Sequence, residues 1–194
     1  FSTILFRFHM ALFFILSGWC FKIKHIESIR HVGRFLFNKV KGLYIPFVAF
    51  NGITFLLTNV FIRMNIYTND EGFMDPSIPG NSYGLTQPLS VSKILPRIIK
   101  ILSFSGETQL GGATWFIRVL FGLLIVWVVV NYLVKTFAKF NDNQRFVFNF
   151  VCSLLFLSIG IRWKKQGVRV FLQMQSVMTA YIVFAFGYYI RQYY

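Results

Sequence analysis

Arg7 and His9 open a helix-length apolar run that continues to Trp19. Ionisable residues in such a run are costly in hydrocarbon, so they face a protein interior, a water-filled cavity or the interface. Snorkelling at a helix end explains the same two residues without chemistry. Arg118 stands one turn inside a second apolar run, which starts at Trp115. A cation at that depth needs an internal partner, either an oxyanion or phosphate or a structural ion pair. Trp115 and Phe116 could pack a sugar face or an acyl chain, or anchor a helix end at the interface.

Other chemistries are absent from the sequence. It has no Walker loop, no HExxH, no GxSxG and no paired carboxylates on one helix face. The acids are few and mostly fall in one loop, which speaks against a metal site. Cys20 and Cys152 lie inside apolar runs with no metal-type spacing and read as small buried hydrophobes.

Composition sets what must position these residues. Only 13% of the 194 residues are charged while 56% are hydrophobic, against about 25% charged in a soluble domain. The chain lacks the polar surface to cover a globule, so the expected class is an all-α, polytopic membrane bundle of about five helices. The net charge of +14 would suit nucleic acid, but the basic residues fall between apolar runs. They are better placed at headgroup level against anionic lipid.

In chain order, spans are expected at 4–21, 43–62, 115–134, 146–161 and 176–190. Pro46 sits in the first turn of the second span, where a missing N–H is harmless. A basic connector, 22–41, follows the first span, with His25 and His31 read as solvated. Residues 63–114 are read as an external loop, polar over 65–90 and ending in a glycine-rich turn. Within it Val91, Ile94, Leu95, Ile98, Ile99 and Leu102 recur at helical spacing, which predicts an interfacial amphipathic helix kinked at Pro96. A polar link, 135–145, separates the third and fourth spans. The positive-inside rule favours a cytoplasmic connector, against the trend of the basic cluster 162–169.

The opening run, Phe8-His9-Met10-Ala11-Leu12-Phe13-Phe14-Ile15-Leu16-Ser17-Gly18, resembles the FHMPLFFFISG signature of the acyltransferase-3 family, with Ala11 at the family's proline. Three later stretches are similar to further family motifs, in the family's order. They are Asn38-Lys39-Val40-Lys41-Gly42-Leu43-Tyr44-Ile45-Pro46-Phe47, Gly112-Ala113-Thr114-Trp115-Phe116-Ile117-Arg118-Val119-Leu120-Phe121 and Ala185-Phe186-Gly187-Tyr188-Tyr189-Ile190-Arg191. Gly42 stands where a basic residue is common, and the third stretch lacks the family's proline.

The resemblance implies a single partial acyltransferase-3-like domain over 1–194 in the inner membrane of a bacterium. It implies acyl transfer, usually of acetyl, from acyl-CoA to a hydroxyl of a cell-surface carbohydrate. Acyl-CoA is then a co-substrate, and no bound cofactor, metal or nucleic acid is expected. The family's catalytic histidine is expected upstream of Phe1, in a chain cut at its N-terminus. His9 and Arg7 become pocket residues, joined by Trp115 and Arg118, while Lys39 and Lys41 are the candidates for the acyl-CoA phosphates. Positive-inside topology accounts for the same lysines. A transporter or flippase-like protein, and an accessory membrane segment without activity, remain the alternative classes. The lack of a convincing internal repeat weighs against a transporter.

Overall fold

The computed structural model describes residues 2–22, 27–64, 66, 91–104, 114–167 and 171–193, with the side chains of 2–9, 91–93 and 171 outside that description. The expected polar loop 65–90 lies outside the described residues apart from residue 66, and the glycine-rich turn 106–114 apart from Thr114; Lys24, His25 and Arg169 also lie outside. Among the described residues the secondary structure is helical, without a strand. The helices are α1 (Ser2–Trp19), α2 (Ile29–Lys39), α3 (Ile45–Leu56), α4 (Thr58–Arg63), α5 (Val91–Leu102), α6 (Trp115–Leu133), α7 (Asp142–Lys165) and α8 (Met174–Tyr193).

Among the described residues two helices are long and apolar enough to cross a membrane, Trp115–Ala138 and Asp142–Lys165, each of 24 residues. The first is α6 continued by a π-helical turn, Val134–Ala138. Here the structure corrects the expected boundaries, since the link shrinks to 139–141 and the short fourth span gains a turn at either end. The cause is local. The Asn141 side chain accepts from the Gln144 N–H at 2.9 Å while the Gln144 side chain accepts from the Asn141 N–H at 3.0 Å, a reciprocal capping box. Asp142 in the first turn and Arg162, Lys164 and Lys165 in the last complement the helix dipole.

The other expected spans are less uniform, and length and apolarity among the described residues do not confirm the expected count of about five. The second breaks at Leu57 into α3 and α4, of 12 and 6 residues. In α1 the described apolar stretch is Met10–Trp19. α8 has 20 residues but carries Gln175, Arg191 and several tyrosines. The predicted amphipathic helix is present as α5, and it stays helical through Pro96. Leu95, Ile99 and Leu102 are exposed along it while Ile101 is buried.

One helix was not expected. α2 lies inside the basic connector, begun by Ser28, whose Oγ accepts from the His31 N–H at 3.3 Å. Val32 and Phe35 form its buried side. A π-helical turn, Val40–Tyr44, follows it and leads into α3.

The chain divides into two compact units, one of residues 1–39 and 119–194, the other of 40–118. In the first, α8 is the central post, packed mainly on α1 and α7. Backbones touch where α1 crosses α8. A Cβ added at Gly187 would lie 2.0 Å from the Ile15 carbonyl oxygen, and one at Gly18 would lie 2.1 Å from that of Phe184. Only residues without side chains allow two helices this close. Gly160 of α7 meets α8 in the same way, 2.7 Å from the Gln175 carbonyl oxygen. Around Trp127, fully buried, stand Phe21, Tyr181, Phe184 and Tyr188, with ring centroids 5.1 to 6.3 Å away.

In the second unit Phe47 and Phe104 meet edge to face at 4.4 Å. Tyr44 packs on Phe104 at 5.4 Å and donates its hydroxyl proton to the Leu102 carbonyl at 2.6 Å.

Candidate functional site

Each unit holds one buried polar cluster. In the second unit the cluster forms where α5 ends. Phe104 adopts a left-handed backbone (φ 59°) and turns its N–H back to the Ile101 carbonyl at 3.0 Å. A helix that ends so leaves carbonyls to be satisfied. Two residues past α5, the Phe104 carbonyl accepts from Arg118 Nη1 at 3.4 Å, with the Arg118 side chain 5% exposed. A cation near a helix C-terminus also meets the negative end of the dipole. Asn51, fully buried, donates to the Phe47 carbonyl at 3.0 Å and to the Thr114 hydroxyl at 3.4 Å. Thr54 and Thr58 of the same helical run are also buried. Trp115 and Phe116, on the first turn of α6, are half-buried. On α5, burial pushes the Arg97 guanidinium down from its ordinary value, which leaves an arginine charged.

Arg118 therefore has an internal partner, as its depth required, and that partner is a backbone carbonyl just beyond α5. A guanidinium presents five donors in a rigid fork, so holding a carbonyl is compatible with reaching a second oxygen.

In the first unit the cluster joins α6, α7 and α8, and sequence reasoning did not select its members. Asn149 of α7 is the hub, fully buried. Its amide nitrogen lies 2.8 Å from Asn131 Oδ1, 2.9 Å from the Arg145 carbonyl and 2.9 Å from the Tyr189 hydroxyl. Its Oδ1 accepts from the Tyr181 hydroxyl at 2.6 Å and from Asn131 Nδ2 at 3.3 Å. Tyr189 donates to the Arg145 carbonyl at 3.1 Å, and Ser153 donates to the Asn149 carbonyl at 2.7 Å. The amides and hydroxyls of Asn131, Asn149, Ser153, Tyr181 and Tyr189 each have a partner here, whereas the buried Arg145 Nε has none among the described residues. The Trp127 indole N–H beside the cluster has no hydrogen-bond partner among the described residues. A signal did exist in the sequence, because a lone asparagine inside an apolar run, at 131 and again at 149, needs a partner for its amide.

Of the residues selected from the sequence, Arg7 and His9 lie on α1, with their side chains outside the described residues. Trp115 and Arg118 share the first turn of α6. Lys39 ends α2, half-buried, its ammonium 5.3 Å above the Phe35 ring. Lys41 is exposed in the π-helical turn that follows.

No metal-binding group of three or more His, Cys, Asp or Glu occurs among the described residues. Between α7 and α8 runs an apolar groove of about 430 Å³, walled by Phe146, Phe150, Phe186 and Tyr189.

A family model described as "Acyltransferase domain" matches residues 1–194. No curated protein and no solved structure gives a match. The opening motif, the apolar helices and a match over the whole given length agree, and the chain belongs to the acyltransferase-3 family.

Proposed function

We propose that the protein is a membrane-embedded O-acyltransferase that moves an acyl group, acetyl in the first instance, from acyl-CoA to a hydroxyl of a cell-surface carbohydrate in a bacterial inner membrane. The observation that carries this reading is the family match over residues 1–194. Two helices of membrane-crossing length and apolarity support it. In the reaction the acceptor hydroxyl oxygen attacks the thioester carbonyl, the C–S bond breaks, and the hydroxyl proton ends on the departing thiolate. Such chemistry needs a base for the proton and positive charge or N–H groups for the oxyanion. His9 and Arg7 are assigned to the pocket, His9 as a hydrogen-bonding partner of the acceptor. Arg118 is assigned to the oxyanion or a donor phosphate, and Trp115 to an apolar face of the substrate. Lys39 and Lys41 are assigned to the acyl-CoA phosphates, where lysine acts as a point charge. No metal or bound cofactor enters the proposed reaction.

The test is incorporation of labelled acetyl from acetyl-CoA into surface glycan by membranes holding the protein. Transfer should occur with the parent chain. It should fall about 100-fold or more in Arg118→Gln if that donor faces the developing oxyanion. Uptake of a solute with no covalent product, in folded protein, would overturn the proposal in favour of a transporter.

A further inference from the structure

The outward side of α2 has a composition that the acyl-transfer reading leaves unused. The helix is pinned by its other side. Val32 and Phe35 are 5% and 6% exposed, and Phe35 meets Phe21 edge to face at 5.4 Å. With Lys39 turned over the Phe35 ring, that lysine belongs to the inner side as well. What α2 presents outward is Ile29, Arg30, Gly33, Arg34 and Phe37, all exposed. In a helix, positions three and four apart are neighbours, so Gly33 is bordered by Ile29, Arg30 and Phe37. A Cβ at Gly33 would meet nothing within 4 Å, so the face is open there. Ile29 and Phe37 are 67% and 58% exposed, a poor arrangement in water. Arg30 and Arg34, one turn apart, hold no hydrogen bond or ion pair among the described residues, and α2 itself contains no acid.

We propose that this face docks on an anionic phospholipid surface, with Arg30 and Arg34 on headgroup phosphates and Ile29 and Phe37 among the upper acyl chains. Charge complementarity selects the partner. Guanidinium forks match phosphate oxygens, while apolar side chains interleaved with them gain from insertion, as in interfacial amphipathic helices. The face is convex, so it suits a lipid surface better than a small ligand needing enclosure. Chain connection adds to this. Nine residues separate apolar α1 from α2, which passes through one π-helical turn into apolar α3. A helix so tethered stays close to the bilayer whatever the protein's reaction. The inference rests on the membrane reading of the chain and not on acyl transfer.

The test places an environment-sensitive fluorophore at Gly33→Cys, in a Cys20→Ser, Cys152→Ser background, and reconstitutes the full chain into vesicles. Neutral phosphatidylcholine is compared with phosphatidylcholine containing phosphatidylglycerol, and depth is read by quenching from spin-labelled lipid. Quenching should rise at least about twofold with the anionic lipid. Arg30→Gln with Arg34→Gln should abolish the rise, and Arg30→Lys with Arg34→Lys should keep most of it. In the Gly33→Cys chain with both arginines intact, 1 M salt should also reverse it, because the screening length falls to about 3 Å. A probe that stays in water in both vesicle types would overturn the proposal, as would a rise that the glutamine pair leaves intact. If coenzyme A shifts the probe while lipid charge does not, the face belongs to a soluble phosphate ligand and the lipid proposal fails. A glycan-acetylation assay on the same vesicles reports the fate of the acyl-transfer reading separately.

Discussion

At the scale of single residues, Asn149 carries the most. Its two N–H groups serve three acceptors on three helices, and its oxygen takes two donors. Asn149→Leu keeps the volume but leaves the Tyr181 hydroxyl and Asn131 Oδ1 without their partner, while the Asn131 amide nitrogen keeps the Trp127 carbonyl at 2.9 Å. The expected loss is about 2 kcal/mol, since interhelical bonds in membranes are individually modest but orphaned buried donors cost more. Tyr181→Phe, which removes one of those donors together with its need, should cost less than half as much. Reversible unfolding in mixed micelles would check both. Lys139 gives the opposite case. It is exposed, with a left-handed backbone (φ 50°, ψ 32°) at the end of the turn that follows α6. Glycine takes this conformation without the Cβ penalty, so Lys139→Gly should raise stability by about 1 kcal/mol. That asparagines in apolar runs need partners was legible in the sequence. Which residues answer them was not, because Asn131, Asn149, Tyr181 and Tyr189 meet only once three helices are packed.

At the scale of elements, the glycines separate into two kinds. Gly18 and Gly187 stand at a backbone-to-backbone crossing, whereas a Cβ at Gly52 would meet nothing within 4 Å. Gly187→Ala should force α1 away from α8 and cost about 2 kcal/mol or more. Gly52→Ala, inside α3, should be neutral or stabilise by up to about 1 kcal/mol. Thermal melts of the two variants side by side would test the contrast, and equal effects would mean the crossing is not tight. Elements set by local rules were readable in advance. α5 followed from its apolar spacing, and Pro46 marked the entry of α3. The Asn141 and Gln144 pair carried the signal for the start of α7, but a polar stretch hid it. α2 was missed because its arginines read as connector, although Ile29, Val32 and Phe35 recur every third residue. The break at Leu57 has no signal that we can identify in the residues around it.

For the whole molecule, the family and the apolar helices make a membrane location the first expectation. Alkaline carbonate washing should leave the protein in the membrane pellet, and its release into the wash would contradict that location. Arg118, in one unit, and the Asn149 cluster, in the other, are separate polar investments in an apolar chain, and their loss should look different. On the proposed assignment Arg118→Gln should lower acyl transfer about 100-fold or more, while Asn149→Leu should lower the yield of folded protein and leave turnover per folded molecule nearly intact. Assay of activity normalised to monodisperse protein separates the two. The α1–α8 crossing also governs how the chain is made. Arg191 on α8 donates to the Trp19 carbonyl at the end of α1 at 2.8 Å, across 172 residues of sequence. During synthesis α1 is made long before α8 exists, and its surface at Gly18 must wait, unmated, while the chain between is made. The crossing therefore cannot close until α8 has been made. A stop codon before Met174 would strand α1 with nothing to close on, and such nascent chains should be cleared by membrane proteases faster than the intact chain.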